Sequence, residues 1–351
     1  MRLSRLFPLL LIWLLAASAL MATDFKGLTK ANPSSITMVP IEHGYIRNNG
    51  DVDPPTLPIQ RSENLYTLQG NILNYSIEIQ KDNIILDGNG FALTSIFPEA
   101  PQGMASGFPS IQISNQKNVT IRNVIFDKCY TAFSVKNSSN VLLCQNIMKT
   151  GETGIYMASC ISCSIIGNKL VDNSDTGFMI LDSSYLNISY NTISRNRSHG
   201  GWLSVSYSII SRNNITDNSL SHPGIGLYLY GQNSYNEIFE NNFINNVNGL
   251  FYQGSKGISV GNKVHDNYWN NYQDAIVNVA ADNASGVDQS PRTSALPNSS
   301  DQFYPLPTVT PTATADSNAG FPTTIVIAST ALTALLCIGL LLYFKKRQRQ
   351  H

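Results

Sequence analysis

The feature that most constrains this chain is a repeat of about 22 to 25 residues between Asn118 and Asn267. Most repeats open with a glycine followed by a hydrophobic residue: Gly154-Ile155, Gly177-Phe178, Gly201-Trp202, Gly224-Ile225 and Gly249-Leu250. A repeat of this length is typical of stacked units, none of which buries its apolar face alone. The apolar segments are short and interrupted by Asn, Ser or Gly, which argues against helical repeats. We therefore predict an all-β, single-stranded, right-handed parallel β-helix (solenoid) of roughly eight to ten coils, each with three short strands.

A side-chain amide stands two positions before an apolar residue in every repeat. These amides are Asn123, Gln145, Asn168, Asn191, Asn213, Asn241 and Asn262. Successive coils of a solenoid stack about 4.8 Å apart, so equivalent side chains form a ladder along the axis. Stacked amides hydrogen-bond to the copies above and below them. We predict that this column is structural rather than a ligand surface.

The two ends of the chain indicate an exported protein with a membrane anchor. Residues 1–19 have the charged start, apolar run and Ala-Ser-Ala motif of a signal peptide. Residues 305–322 form a Pro/Thr-rich stalk, and the uncharged residues 323–344 are long enough for a transmembrane helix. The basic tail 345–351 belongs in the cytoplasm by the positive-inside rule. The sequence thus predicts a single-pass cell-surface protein that is held in the membrane by its C-terminal helix.

The exported part divides into three segments and carries N-glycosylation sequons. Residues 20–74 are predicted to lead in and cap the solenoid, residues 75–272 to form the repeats, and residues 273–304 to wrap back along the outside. The acceptor asparagines are Asn74, Asn118, Asn137, Asn187, Asn196, Asn214, Asn283 and Asn298.

Charge and cysteine content exclude some classes of function. The formal net charge is zero and only 13% of residues are charged, so no nucleic-acid-binding surface is indicated. The pair Cys160-x-x-Cys163 is compatible with a local disulfide, half of a metal site or two core cysteines. No second CxxC accompanies it, and we favour the core interpretation.

One predicted column carries titratable residues. Counting back two positions from four repeat glycines gives Glu152, Asp175, His199 and His222. Two carboxylates on adjacent coils, about 5 Å apart, suit a retaining glycosidase pair or raise one another's pKa. The two histidines with the carboxylates would instead hold a divalent metal, the one cofactor that the column suggests. The competing interpretation is a set of solvated turns, which the uneven spacing of the repeats favours.

Aromatic residues supply a second candidate surface. Tyr185, Tyr207 and Tyr235 each precede the amide column by six residues, so they would stack along the axis. Such a stack would bind a glycan chain or pack beneath a loop. Trp269 stands where the repeats end, either as a cap on the apolar core or as a sugar-stacking platform.

Segments at both ends of the repeats resemble a known family. The opening segments are Tyr45-Ile-Arg-Asn-Asn-Gly-Asp-Val-Asp-Pro-Pro55, Tyr66-Thr-Leu-Gln-Gly-Asn-Ile72 and Lys81-Asp-Asn-Ile-Ile-Leu-Asp-Gly-Asn-Gly90. The closing segments are Asn267-Tyr-Trp-Asn-Asn-Tyr272 and Asp301-Gln-Phe-Tyr-Pro-Leu306. They resemble archaeal parallel β-helix repeat surface proteins of the NosD-like group. The resemblance implies the β-helix fold shared by carbohydrate-binding proteins and sugar hydrolases.

The same resemblance raises a copper role, because the group is named for a periplasmic copper-maturation protein. Soft ligands select Cu(I), and Met148, Met157 and Met179 lie in the repeats. Methionine fills cores as readily as it binds metal. We predict a surface module that binds or organises polysaccharide without catalysis. The alternatives are a lyase or hydrolase that uses Glu152, Asp175 and His199, and a copper-binding or copper-delivery protein.

Overall fold

The computed structural model describes residues 41–95, 107–218, 224–253, 260–270, 288 and 290–297. In these ranges the chain contains 29 β-strands and no helix. The first five strands are β1 (Glu42–Ile46), β2 (Val52–Asp53), β3 (Ile59–Ser62), β4 (Leu65–Leu68) and β5 (Ile72–Leu73). The next thirteen are β6 (Tyr75–Ile79), β7 (Ile84–Asp87), β8 (Ala92–Thr94), β9 (Pro109–Ser114), β10 (Val119–Arg122), β11 (Ile125–Asp127), β12 (Thr131–Lys136), β13 (Leu142–Cys144), β14 (Ile147–Lys149), β15 (Thr153–Ala158), β16 (Ser164–Ile166), β17 (Lys169–Val171) and β18 (Phe178–Ser184). The last eleven are β19 (Asn187–Ser189), β20 (Thr192–Ser194), β21 (His199–Ser206), β22 (Ile209–Ser211), β23 (Asn214–Thr216), β24 (Ile225–Tyr230), β25 (Glu237–Phe239), β26 (Asn242–Ile244), β27 (Asn248–Gln253), β28 (Lys263–His265) and β29 (Tyr268–Trp269).

The strands form three sheets, and each coil contributes one strand to each. Sheet A has the order β2-β1-β6-β9-β12-β15-β18-β21-β24-β27. Sheet B runs β28-β25-β22-β19-β16-β13-β10-β7-β4-β3, and sheet C runs β29-β26-β23-β20-β17-β14-β11-β8-β5. Apart from the β1–β2 and β3–β4 pairs, all pairings are parallel. The predicted parallel β-solenoid is confirmed, with about eight coils.

A column of aliphatic side chains, one from each coil, fills the interior. In sheet B, Ile121, Leu143, Ile165 and Ile188 are in register and are at most 1% exposed. Strand residues alternate between the inner and outer face, so a typical short strand of sheet B or C buries one or two residues and turns the others outward. The narrow core therefore depends on stacking, because no coil encloses it alone.

The predicted amide ladder is present at the turn between sheets B and C, with a corrected register. Its members are Asn146, Asn168, Asn191, Asn213, Asn241 and Asn267. Asn191 shows the pattern: its Nδ2 donates to Ile165 O at 2.8 Å and to Asn213 Oδ1 at 2.9 Å. Its Oδ1 in turn accepts from the Asn168 backbone N–H at 2.9 Å. The column is structural at these positions, because every amide is buried and bonded.

Three of the predicted amides lie elsewhere. Asn123 and Gln145 each stand one residue before the ladder position, with φ of 56°, and they are half-buried. Asn262 belongs to a different ladder, where its Oδ1 accepts from Asn236 at 3.0 Å. Sequence spacing misplaced Asn123 and Gln145 because a residue in the left-handed conformation precedes each ladder position, and in these two coils that residue also carries an amide. It misplaced Asn262 because the turn between sheets A and B has an amide ladder of its own.

A second buried amide ladder at the turn between sheets C and A changes one glycosylation prediction. It consists of Asn173, Asn196, Asn218 and Asn246. Asn196 is 0% exposed and its Nδ2 donates to Leu170 O and Asn218 Oδ1. A glycan cannot be attached to it in the folded protein. Among the other acceptors, Asn118 and Asn137 are exposed and Asn74, Asn187 and Asn214 are half-buried, while Asn283 and Asn298 lie outside the described residues.

The solenoid begins earlier than predicted. β4 and β5 already belong to sheets B and C, and β1 pairs with β6 in sheet A, so the stack starts before residue 75. At the other end, the described part of the predicted wrap contacts the last two coils: Arg292 N–H donates to Asn267 O at 2.8 Å, and Leu296 N–H donates to Asn242 Oδ1 at 2.9 Å. The predicted signal peptide, stalk, span and cytoplasmic tail lie outside the described residues. Within the described part of the chain, no helix has the length and hydrophobicity of a membrane span.

Candidate functional site

The register of sheet A sets the position of every candidate residue. The repeat glycines that align are Gly154, Gly177, Gly200, Gly226 and Gly249. A Cβ on Gly177 would lie 2.5 Å from Gly200 O, and one on Gly200 would lie 2.4 Å from Gly226 O. Glycine is required because the coils approach so closely here. The sequence alignment used Gly201 and Gly224 instead. It was therefore one residue away from the true register at Gly200 and two residues away at Gly226.

The two predicted carboxylates do lie on neighbouring coils. Asp175 N–H donates to Glu152 O at 3.0 Å, and Ser198 N–H donates to Asp175 O at 2.9 Å. The sequence alignment predicted that His199 continues this column. In the structure, Ser198 occupies that position. His222 lies outside the described residues.

Burial raises the pKa of both carboxyl groups. For Glu152 the Tyr130 hydroxyl, which hydrogen-bonds the carboxylate, opposes the rise, and the charge of Asp175 adds to it. For Asp175 the neighbouring His199 and a hydrogen bond from Ser198 oppose the rise in pKa. Both side chains are half-buried. Neither has a salt bridge to Lys or Arg among the described residues.

His199 lies next to this pair, one position further along the strand. It pairs with Ile225 in β24 and is only 8% exposed. Its ring lies 5.3 Å from Tyr228 and 5.8 Å from Trp202, measured between centroids. Burial lowers the pKa of His199, against the opposing charge of Asp175, so the neutral imidazole is favoured. Among the described residues, its Nδ1 has no hydrogen-bond partner, nor do Thr176 Oγ1 and Trp202 Nε1.

An outward-facing column of large side chains, which we call the aromatic column, stands two residues after the aligned glycines. Its members are Tyr156, Met179, Trp202, Tyr228 and Phe251. Trp202 and Tyr228 contact edge to face with centroids 4.9 Å apart, and Tyr228 lies 5.5 Å from Phe251. Sequence reasoning missed this column because the glycine register was shifted. Counting two residues forward from the correct glycines would have found it.

We call the surface formed by the aromatic column with Glu152, Asp175 and His199 the sheet A face. It combines apolar rings, two carboxylates without basic partners and unpaired polar atoms. That composition is typical of a ligand-binding surface rather than of a solvated turn.

The predicted tyrosine stack is present at the turn between sheets A and B. The ring centroids of Tyr185 and Tyr207 are 5.2 Å apart, and those of Tyr207 and Tyr235 are 5.0 Å apart, with planes within 14° of parallel. Each side chain is at least 50% exposed. Because the rings cover one another, the stack turns edges and hydroxyls to solvent. A Cβ on Gly261 would lie 2.5 Å from the Tyr235 ring, so that end of the stack is covered by backbone.

Trp269 caps the core and is not a sugar-stacking platform. It is 7% exposed and stacks on Phe243 with centroids 4.3 Å apart. Its Nε1 donates to Asp288 Oδ2 at 2.9 Å. The indole lies inside the last coil because Gly249 leaves the space that a Cβ would fill.

A comparison with models of known protein families shows which family the chain belongs to. The family model described as "Periplasmic copper-binding protein (NosD)" matches residues 75–283, which is more than half of the chain. The chain belongs to the NosD family. No curated protein matches the sequence.

Several solved structures are similar to part of this NosD-family chain. PfbA, a surface adhesin of Streptococcus pneumoniae, is 17% identical with a TM-score of 0.38, over 57% of this chain and 59% of the adhesin. The catalytic domain of a GH87 alpha-1,3-glucanase is 12% identical with a TM-score of 0.40, over 58% of this chain and 52% of that domain. The pectate lyase Pel9A is 13% identical with a TM-score of 0.43, over 67% of each chain. This chain thus spans between half and three fifths of the first two proteins.

The copper named in the family description does not fit the donors of the described residues. No group of three His, Cys, Asp or Glu side chains is placed to hold a metal ion in that part of the chain. Met148 and Met157 are core residues, exposed by 1% and 0%. Cys160 and Cys163 are free and buried, as the core interpretation predicts, and burial raises the pKa of the Cys144 thiol to about 11. Thiolates are the soft ligands, and buried neutral thiols are not.

Proposed function

We propose that this NosD-family protein binds glycan on the sheet A face without catalysis. The observation that carries the proposal is the aromatic column, which runs over five successive coils beside Glu152 and Asp175. A ligand that follows the solenoid axis would meet a new side chain at each coil, about every 4.8 Å. A linear polysaccharide has the repeating structure that such a surface matches.

The chemistry of the face supports a carbohydrate ligand. Aromatic rings contact the apolar faces of sugars, while carboxylates and ring N–H groups bond their hydroxyls. Leaving a buried polar atom without a partner costs about 1 to 3 kcal/mol. His199 Nδ1 and Trp202 Nε1 both lack one. A fold that tolerates this cost beside the half-buried rings of Trp202 and Phe251 is suited to satisfy those atoms with a ligand.

The sequence signals support a position outside the cell. The predicted signal peptide in residues 1–19 and the predicted span in residues 323–344 would expose the solenoid at the cell surface. The family description names a periplasmic protein, which agrees with export. Surface polysaccharide or an envelope glycan is therefore the partner that we propose.

Substitution of the tryptophan tests the proposal. A polysaccharide array first identifies a glycan that the full-length wild type binds. We expect the affinity of full-length Trp202→Ala for that glycan to be lower by about ten-fold or more. The matched control is Tyr207→Ala, which removes an exposed ring from the turn between sheets A and B. Equal binding by wild type and Trp202→Ala, with both folded by circular dichroism, would refute the sheet A face as the binding surface.

A glycosidase is the second candidate, because Glu152 and Asp175 lie on adjacent coils, and the coil spacing of about 4.8 Å is close to the carboxyl separation of a retaining pair, about 5 Å. Their raised pKa values also suit an acid and a base. The test is product release from bound polysaccharide by wild type, Glu152→Gln and Asp175→Asn. Cleavage that both variants lose would make the protein an enzyme. Binding without cleavage would leave it a binding module.

A further inference from the structure

Several acids of the solenoid pair with an arginine, whereas the carboxylates of the sheet A face have no such partner among the described residues. Asp87 accepts from Arg122 Nε at 2.8 Å, and Glu240 accepts from Arg212 Nε at 2.6 Å. Asp172 likewise accepts from Arg195 Nε at 2.7 Å. Of the described residues, none of the lysines or arginines makes such a contact with Glu152 or Asp175. This face therefore keeps two negative charges uncompensated.

Uncompensated like charges on neighbouring coils repel each other and lose hydration through burial. Burial is the main cause of the raised pKa of each group, and for Glu152 the charge of Asp175 adds to it. His199 opposes the rise in the pKa of Asp175 only in part, since burial favours the neutral form of the imidazole. A cation bound over the pair would restore both the charge balance and the lost hydrogen bonds.

The neighbouring aromatic column is also suited to a cation. At one coil the protein's own ammonium group occupies it: Lys136 Nζ lies 5.4 Å from the centroid of the Tyr156 ring. Such cation–π contacts are strongest with Trp and Tyr rings. Trp202 and Tyr228 continue the same column beside His199.

A third observation points to a ligand rather than to a bare acidic patch. His199 is 8% exposed, its ring nitrogen Nδ1 has no partner, and it interacts with Asp175. Thr176 Oγ1, on the neighbouring coil and in register with His199, is also unpartnered. Hydroxyl groups of a sugar ring supply the donors and acceptors that these two atoms lack.

We propose that the glycan unit bound over Glu152 and Asp175 is an amino sugar with a free ammonium group. The inference rests on the proposed glycan-binding function and specifies its ligand. The ammonium lies between the two carboxylates, and the following units of the same glycan chain lie against Trp202 and Tyr228 on the next two coils. Glycans with uronate groups are repelled by the same carboxylates.

The experiment compares affinities for oligosaccharides of equal length, measured by calorimetry on the full-length protein. The four probes are oligomers of glucosamine, N-acetylglucosamine, glucose and galacturonate. We expect glucosamine oligomers to bind at least about ten-fold more tightly than the N-acetylated oligomers, since acetylation removes the charge and fills the space of the ammonium. Galacturonate oligomers should bind most weakly.

Variants show whether the carboxylates are responsible. The double variant Glu152→Gln, Asp175→Asn should bind the glucosamine and N-acetylglucosamine oligomers equally. The control Asp182→Asn removes an exposed carboxylate from β18 of the same sheet and should keep the preference. Trp202→Ala should weaken binding of every probe.

The outcomes separate the two proposals. If wild type binds acetylated or neutral oligomers as tightly as glucosamine oligomers, or if the double variant keeps the preference, the amino-sugar inference is overturned while glycan binding stands. If no oligomer binds the folded protein, the proposed function fails together with the inference.

Discussion

The outer face of sheet A and the outer face of sheet B belong to the same coils but treat charge in opposite ways. On the sheet B side, Asp87 pairs with Arg122 and Glu240 pairs with Arg212. His265 there has both ring nitrogens bonded, Nδ1 to Asp266 at 2.8 Å and Nε2 to Glu237 at 3.1 Å. On the sheet A face, the described part of the chain offers the two carboxylates no basic partner and His199 Nδ1 no hydrogen bond.

This difference in charge pairing distinguishes side chains that stabilise the folded state from side chains that destabilise it. Surface ion pairs contribute little each, but they remove the penalty of an isolated charge. Unpaired, half-buried carboxylates and a buried neutral histidine lower the free energy of unfolding. Sites that bind ligands commonly retain such groups. We therefore assign binding to the sheet A face and a structural role to the sheet B face.

Both faces belong to the same stacked coils, and the amide ladder between sheets B and C contributes to holding those coils together. Asn191→Ala removes two acceptor contacts and two donor contacts at once, to Asn168, Ile165 and Asn213. We expect a loss of about 3 to 5 kcal/mol in unfolding free energy, because several buried backbone and amide groups lose their partners. Chemical denaturation measures it.

The control for that variant is Asn187→Ala, a half-buried asparagine on the same coil. It should change the unfolding free energy by less than about 1 kcal/mol. Similar losses for the two variants would show that the ladder contributes no more than ordinary surface packing.

The same substitution should have opposite effects on the two faces. Burial raises the pKa of Glu152 and Asp175, so their ionisation disfavours the folded state as pH rises through the unfolded and then the folded pKa. Glu152→Gln and Asp175→Asn should therefore raise the melting temperature at neutral pH by roughly 1 to 3 °C each. Near about pH 3 the gain should vanish, since the carboxyl groups are protonated in both states.

On the sheet B face, Asp87→Asn should lower the melting temperature at neutral pH. Asp87 accepts charge-assisted hydrogen bonds from Arg122 and also bonds Asn123 and the Asn89 backbone N–H. Scanning calorimetry of the three variants in one buffer makes the comparison. A shift of the same sign on both faces would contradict the distinction between them.

The smallest expected effect concerns the two histidines. Hydrogen bonds to Asp266 and Glu237 raise the pKa of His265, so its contribution is present below the unfolded pKa of about 6.5 and is lost as pH rises through the folded pKa. Burial lowers the pKa of His199, so its protonation disfavours folding as pH falls below that unfolded value.

Melting temperatures at about pH 5 and about pH 8.5 test both histidines. Relative to wild type, His265→Gln should lose more stability on acidification, and His199→Gln should lose less. Comparing each variant with itself at the two pH values cancels the packing cost of the substitution. Responses of equal sign would mean that the two environments do not differ as described.

Part of the candidate site was accessible from the sequence and part was not. Glu152 and Asp175 were correctly placed on neighbouring coils, because the spacing between Gly154 and Gly177 reports a true register. His199 was misaligned by one residue, since Gly200 and Gly201 stand side by side and only one can contact the next coil. The same shift hid Trp202 and Tyr228 as members of one column.

The sequence by itself determined the solenoid, the inward aliphatic residues and most of the buried amides, because these follow from a period that every coil repeats. The tertiary structure alone decided which glycine faces its neighbour's carbonyl, and hence which side chains share the sheet A face. It also decided that Trp269 is buried in the last coil. Within the part of the chain that the structure describes, it left Glu152 and Asp175 without a basic partner. Those properties depend on contacts between coils. A shift of one residue in the register moves a side chain to another column and, within a strand, turns it to the other face of the sheet.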